Sequence, residues 1–158
     1  MPVVLTGCLI LFAAIPSIDP LRENIKAFSN YYGGFIITFT LFMLAVHAFS
    51  LLWSLGVKIN PNRFIPVGVG GLFFYVGILS SHAKRNWFIG IRTPWTLSSE
   101  RVWDKTHQVG AKLFKIAGVV SAIGAFFPAY AFVFVIVPMV FVLLYTTVYS
   151  YLMYRRQE

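Results

Sequence analysis

The feature that most constrains this chain is a nearly unbroken apolar run from Ile116 to Met153. As a single helix rising about 1.5 Å per residue, that run would reach nearly twice the ~30 Å hydrocarbon core of a bilayer. It must therefore fold back on itself. Pro128, between Phe127 and Ala129, marks the hairpin. Two spans follow, at about 113–127 and 131–153, with a kink expected at Pro138 in the second. Tyr145, Tyr149, Tyr151 and Tyr154 gather near its end, as aromatic side chains do where a span meets the headgroups.

Three further apolar stretches precede this run, at about 2–18, 35–55 and 64–81. The first is short for a span. The second holds no charge beyond the one available to His47. The third carries Gly68, Gly70, Gly71 and Gly77, small residues that let helices approach closely in lipid. Asp19-Pro20 with Arg22, Glu23 and Lys26 makes the first connection; Lys58, Asn60-Pro61-Asn62 and Arg63 make a compact turn at the second. Charged residues are 11% of the chain, against about 25% in soluble domains, too few to cover a water-soluble surface. The expected fold is all-α and polytopic: one membrane domain over 1–158 with about five transmembrane helices.

The formal net charge is +8. Of the 13 Lys and Arg, only Lys58 and Arg63 fall on one side of this five-span topology. Basic residues collect on the cytoplasmic side, so the N-terminus is expected outside and Arg155-Arg156 in the cytoplasm. The same asymmetry accounts for the basic balance without nucleic acid. The single Cys8 forms no internal disulfide. Leu5-Thr6-Gly7-Cys8 has the look of a lipoprotein cleavage box, but without the basic start and apolar run such a box needs.

Residues 82–112 form the long polar interruption. Within them, Asn86-Trp87-Phe88-Ile89-Gly90-Ile91-Arg92-Thr93-Pro94-Trp95-Thr96-Leu97 is apolar, aromatic and too short to span, which suits an interfacial or re-entrant piece. Ser98 is the expected N-cap of a following helix, with Glu100 in its first turn. Arg101, Lys105, Gln108, Lys112 and Lys115 recur at helical spacing as one basic stripe. Val102, Thr106, Val109, Leu113 and Ile116 form a mostly apolar stripe beside it, and Trp103, His107, Gly110 and Phe114 another. The expectation is a cytoplasmic interfacial amphipathic helix, its cations near anionic lipid, bending into the fourth span around Gly110. A plain cytoplasmic surface helix would give the same composition.

Asn86 to Thr96, continuing through Leu97-Ser98-Ser99-Glu100-Arg101-Val102-Trp103-Asp104-Lys105-Thr106-His107, strongly resembles the signature of the SdpI (YfhL-like) immunity protein family. Ile15-Pro16-Ser17-Ile18-Asp19-Pro20, with Asn24 and Tyr31-Tyr32, is a second and weaker match. The resemblance implies a bacterial plasma-membrane protein that protects its cell against a secreted toxin peptide. It also implies a signalling role in which toxin binding changes what the cytoplasmic face recruits. Many family members carry an additional N-terminal hydrophobic segment and an external loop, whereas this sequence begins almost inside the first shared span.

The candidate functional residues are Asn86, Trp87, Phe88, Gly90, Arg92, Thr93, Pro94, Trp95, Trp103 and His107. Arg92 leads, because a guanidinium in an aromatic membrane segment needs a partner: Glu100, Asp104, a lipid phosphate or a peptide carboxylate. Trp87, Trp95 and Trp103 are either a wall around it or interfacial anchors. His47 is the intramembrane candidate, with a neutral histidine bonded to a neighbouring helix as the plainer expectation. His82 and His107 stand too far apart for a metal motif, and no cofactor motif is present. Two other functions compete: a small transporter, which five short spans would need an oligomer to build, and an interfacial enzyme using His107, Glu100 and Asp104. Nothing resembles a nucleophile–base pair, so the chain is read as a non-enzyme.

Overall fold

A computed structural model describes residues 2–157, and every regular element among them is helical. The helices are α1 (Pro2–Ile18), α2 (Arg22–Ala27), α3 (Ser29–Ser54), α4 (Pro61–His82), α5 (Pro94–Ser98), α6 (Glu100–Ile123) and α7 (Ala131–Arg155). Two short 3₁₀ turns, Gly124–Phe126 and Pro128–Tyr130, make the α6–α7 hairpin on either side of Phe127. Four segments are long and apolar enough to cross a membrane: Ser29–Ser54, Pro61–His82, Glu100–Phe126 and Pro128–Arg155. The fifth apolar helix, α1, has 17 residues, at the lower end of spanning length. This is a multi-span integral membrane fold.

The clearest departure from the sequence reading is α6. The amphipathic segment and the fourth span are one helix of 24 residues, with no separate interfacial piece. Val102, Trp103, Thr106, His107, Gly110, Ala111, Ala117, Gly118 and Ser121 are all buried along it. Their three-and-four spacing makes one protein-facing stripe from end to end. Most of the apolar side of this segment therefore packs on protein, chiefly α4 and α7, while Ile116 and most of the basic stripe stay exposed. Gly110 serves packing and not a bend: a Cβ there would collide with the Ile91 side chain. Ser99, not Ser98, caps α6, accepting from the Val102 N–H at 3.4 Å. Ser98 ends α5 and donates to its own Pro94 carbonyl at 2.6 Å.

α4 and α6 touch backbone to backbone. A Cβ on Gly70 would run into the Gly118 carbonyl, one on Gly118 into the Gly70 carbonyl, and one on Gly77 into the Ala111 carbonyl. In lipid, dispersion between close backbones drives such association. Gly68 makes room for the ring of Phe42, and Gly71 faces open space.

Three helices contain an internal proline, Pro16, Pro66 and Pro138, and two of these free a carbonyl that is met by another helix. Pro16 frees the Phe12 carbonyl, which accepts from the Tyr32 hydroxyl at 2.9 Å. Pro138 frees the Phe134 carbonyl, which accepts from the Ser121 hydroxyl at 3.2 Å. In each case a neighbouring helix supplies the missing donor, as a spanning helix requires.

Two sets of contacts define the ends of the bundle. At one end Asn24 Nδ2 donates to the Arg85 carbonyl at 2.7 Å, and Ser99 Oγ donates to Gln157 Oε1 at 2.9 Å. At the other, Asn62 Nδ2 donates to the Pro128 carbonyl at 3.0 Å, joining the α3–α4 and α6–α7 turns.

Candidate functional site: the 86–93 loop and its cavity

The chain from Asn86 to Thr93 has no regular structure, so side chains must meet most of its backbone polar groups. Asn86 is fully buried and satisfies three of them, together with the carbonyl of Lys84 just before the loop. Its Oδ1 accepts from the N–H of Phe88 (2.9 Å) and of Ile89 (2.6 Å); its Nδ2 donates to the carbonyls of Lys84 and Ile89, both at 2.8 Å. Asp19, 2% exposed, reaches in from the α1–α2 connection. Its Oδ2 accepts the Trp87 N–H at 2.9 Å while Oδ1 accepts the Leu21 N–H at 2.6 Å. With Asn24 on the Arg85 carbonyl, the α1–α2 connection holds the loop at two points.

His107 of α6 holds the loop from the opposite side. The Ile91 N–H donates to Nε2 at 2.9 Å, so Nε2 must be the unprotonated nitrogen. Nδ1 then carries the proton and donates to the Trp103 carbonyl at 2.9 Å. Trp103, fully buried, stacks on the imidazole at 4.0 Å and donates its indole N–H to the Ala83 carbonyl at 2.8 Å. Gly90 passes over this pair at φ +120°, where a Cβ would collide with His107 Nε2. Thr93 caps α5 in a reciprocal box with Thr96, and its hydroxyl lies 3.0 Å from that of Ser150 on α7.

Between this loop and the helices lies a cavity of about 420 Å³. Phe12 and Ile15 of α1, Tyr32 and Phe35 of α3, Leu79 of α4 and Leu143 and Thr147 of α7 contribute to its walls, with the loop from Phe88 to Thr93. The lining is mostly apolar and Arg92 is its one charged residue.

Of the expected site residues, Phe88, Gly90, Arg92 and Thr93 line this cavity together. Asn86, Trp103 and His107 are buried supports behind it. Pro94 begins α5 at its first position. The three tryptophans form no common wall: Trp87 is 51% exposed, Trp95 packs on Tyr151 at 5.1 Å, and Trp103 is in the core. Arg92 pairs with neither Glu100 nor Asp104; its guanidinium donates to the Trp87 carbonyl at 2.7 Å. Glu100 instead lies 3.9 Å from Arg85, whose other donor reaches the Leu97 carbonyl.

His47 lies apart, beside a cavity of about 150 Å³ lined by α1 and α3 residues including Thr6 and Met43. The expected bond to a neighbouring helix is missing: Nδ1 is buried with no partner among the described residues. His82 stacks on Tyr31 at 3.6 Å. No group of three or more potential metal ligands occurs among the described residues.

Asp19 and Asn24 are loop-holding positions that residue-type reasoning passed over. The signal was the weaker 15–24 match, because a buried aspartate beside Pro20 needs donors, and these turn out to belong to the other motif.

Residues 82–150, which include the loop, its His107 support and the α7 wall, match the model of the SdpI/YfhL protein family. Over these residues the chain belongs to the SdpI/YfhL family. It is also 34% identical, over 108 residues, to a protein named Immunity protein SdpI from Bacillus subtilis (strain 168). That similarity takes in 68% of this chain and 52% of the relative, so the chain spans about half of the relative's length. No solved structure matches the chain.

Proposed function

We infer that this SdpI/YfhL family member is a plasma-membrane immunity protein that protects its cell against a secreted toxin peptide. One observation carries the reading: the family signature, shared with a protein named for immunity, also forms the wall of an apolar cavity with a single exposed cation. An apolar peptide within or beside the bilayer finds matching walls there, and Arg92 suits a peptide carboxylate.

The protein acts by binding and without turnover. Both nitrogens of His107 are engaged in holding the loop, while Glu100 and Asp104 are exposed on α6. The N-terminus faces outward and the C-terminus the cytoplasm. Support comes from the end of the bundle shared by Asn24, Arg85 and Gln157, around which Arg22, Lys26, Lys84, Arg155 and Arg156 lie in sequence. On that side the exposed Arg101, Lys105 and Lys112 present a surface for anionic headgroups and for a cytoplasmic regulator.

The test is co-purification. Membranes containing the full chain are incubated with an affinity-tagged form of the toxin peptide against which the Bacillus relative protects, then solubilised and captured. The expected result is recovery of the chain with peptide of unchanged mass, and loss of capture with Arg92→Ala. Cleaved peptide would replace binding with an enzymatic reading; no capture of the wild type would remove the peptide-binding reading.

A further inference from the structure

The cavity beneath the loop combines three properties. Its walls are mostly apolar. Arg92 lines it, is exposed, and has no carboxylate within ion-pair distance among the described residues. Both α1 and α7 contribute to its lining, yet the two helices hardly touch each other. The α1 and α7 sides of the cavity are therefore not closed by direct packing of one helix on the other.

Its depth is also defined. Phe12 and Ile15 lie near the C-terminus of α1, Tyr32 and Phe35 near the N-terminus of α3, and Leu79 near the C-terminus of α4. All belong to the end of the bundle marked by the Asn24–Arg85 contact, where most basic residues also lie. The cavity thus begins at that end of the bundle, where Arg92 lies, and its apolar walls reach to Leu143 near the middle of α7. Basic pockets between spanning helices on the basic side hold anionic headgroups, and a guanidinium fork fits phosphate oxygens in pairs.

We propose that, before any peptide arrives, this cavity holds one anionic phospholipid of the basic-side leaflet, its phosphate on Arg92 and an acyl chain between α1, α3 and α7, and that the peptide of the proposed function would have to displace it from the same cation. This site is distinct from the exposed Arg101–Lys105–Lys112 side of α6, which presents cations without an enclosed apolar wall. The Arg92 side chain keeps its bond to the Trp87 carbonyl through one terminal nitrogen, which leaves further guanidinium donors for a phosphate. Thr147, whose hydroxyl donates to its own Leu143 carbonyl at 2.8 Å, lines the α7 wall and makes no demand on the ligand.

The test needs no toxin, so its failure and a failure of the immunity reading are separable. The full chain is purified in a neutral detergent and titrated with phosphatidylglycerol or phosphatidylcholine, with bound lipid counted by native mass spectrometry. The wild type is expected to retain one phosphatidylglycerol in preference to phosphatidylcholine. Arg92→Ala should reduce that preference about tenfold, the loss of a charged hydrogen-bonded contact. Arg92→Lys should keep part of it. Thr147→Trp, which fills the apolar wall, should lower retention of both lipids, and its melting temperature reports whether the bundle remains folded. Lys105→Gln with Lys112→Gln should leave the single tight lipid in place. An unchanged preference in Arg92→Ala, or loss of the tight lipid in the Lys105/Lys112 variant alone, would overturn the proposal. So would a folded Thr147→Trp protein with full retention.

Discussion

Gly90 and Arg92, two residues apart on the same loop, have opposite relations to stability. Gly90 adopts a left-handed backbone and has His107 where a Cβ would go. Gly90→Ala is therefore expected to destabilise the protein by about 1–3 kcal/mol, with both backbone strain and collision contributing. Gly71→Ala is its control: nothing lies near Gly71, and alanine favours helix by about 0.5–1 kcal/mol. Thermal melts of the two detergent-solubilised variants should move in opposite directions; a Gly90→Ala protein that melts with the wild type would contradict the loop geometry. Asp19→Ala strips the Trp87 and Leu21 N–H groups of their acceptor, a buried loss of roughly 1–3 kcal/mol. Its specific consequence is release of the loop, read as faster amide hydrogen exchange at Trp87 than in Gly71→Ala. Arg92→Ala removes only one exposed bond to a carbonyl and should cost no more than about 0.5 kcal/mol. Arg92 can thus be tested for function without unfolding the protein.

At the scale of the helices, the chain meets the carbonyls freed by Pro16 and Pro138 with donors borrowed from a neighbouring helix. Tyr32→Phe orphans the Phe12 carbonyl and Ser121→Ala orphans that of Phe134, each at about 0.6 kcal/mol, the average for hydrogen bonds between membrane helices. Pro138→Ala restores the internal donor, so Ser121→Ala should be less harmful in that background. Equal losses in both backgrounds, measured by reversible unfolding, would show that Ser121 does not serve the proline. The spans themselves were legible because about twenty apolar residues in a row leave few alternatives, and the α6–α7 hairpin falls where Pro128 places it. The course of α6 was less legible. A stripe of Trp103, His107 and Gly110 looks the same whether lipid or protein covers it, and only the packing of the loop, α4 and α7 on α6 decides between them. The loop was legible as a motif but not as a geometry. Asn86, Trp103 and His107 carry polar atoms that look like ligand contacts in a sequence; in the fold those atoms are consumed by loop backbone and by Ala83.

For the molecule as a whole, the partners of Asn24 and Asn62 fix which turns share an end, and the distribution of Lys and Arg supports the orientation proposed above. In a Cys8→Ser background, Lys84→Cys should be shielded from an impermeant thiol reagent in intact cells and Lys58→Cys labelled. The reverse pattern would invert the topology. In the proposed orientation the loop faces inward and the toxin would approach through the bilayer, a route that the apolar walls of the cavity suit. The account stands or falls on protection itself. Sensitive bacteria expressing this chain are challenged with the toxin peptide, and survival is compared with that of cells carrying Arg92→Ala at equal membrane abundance. Survival of the wild type and killing of the variant is the predicted result; killing of both, with the wild-type chain verified in the membrane, would contradict the immunity function proposed for it.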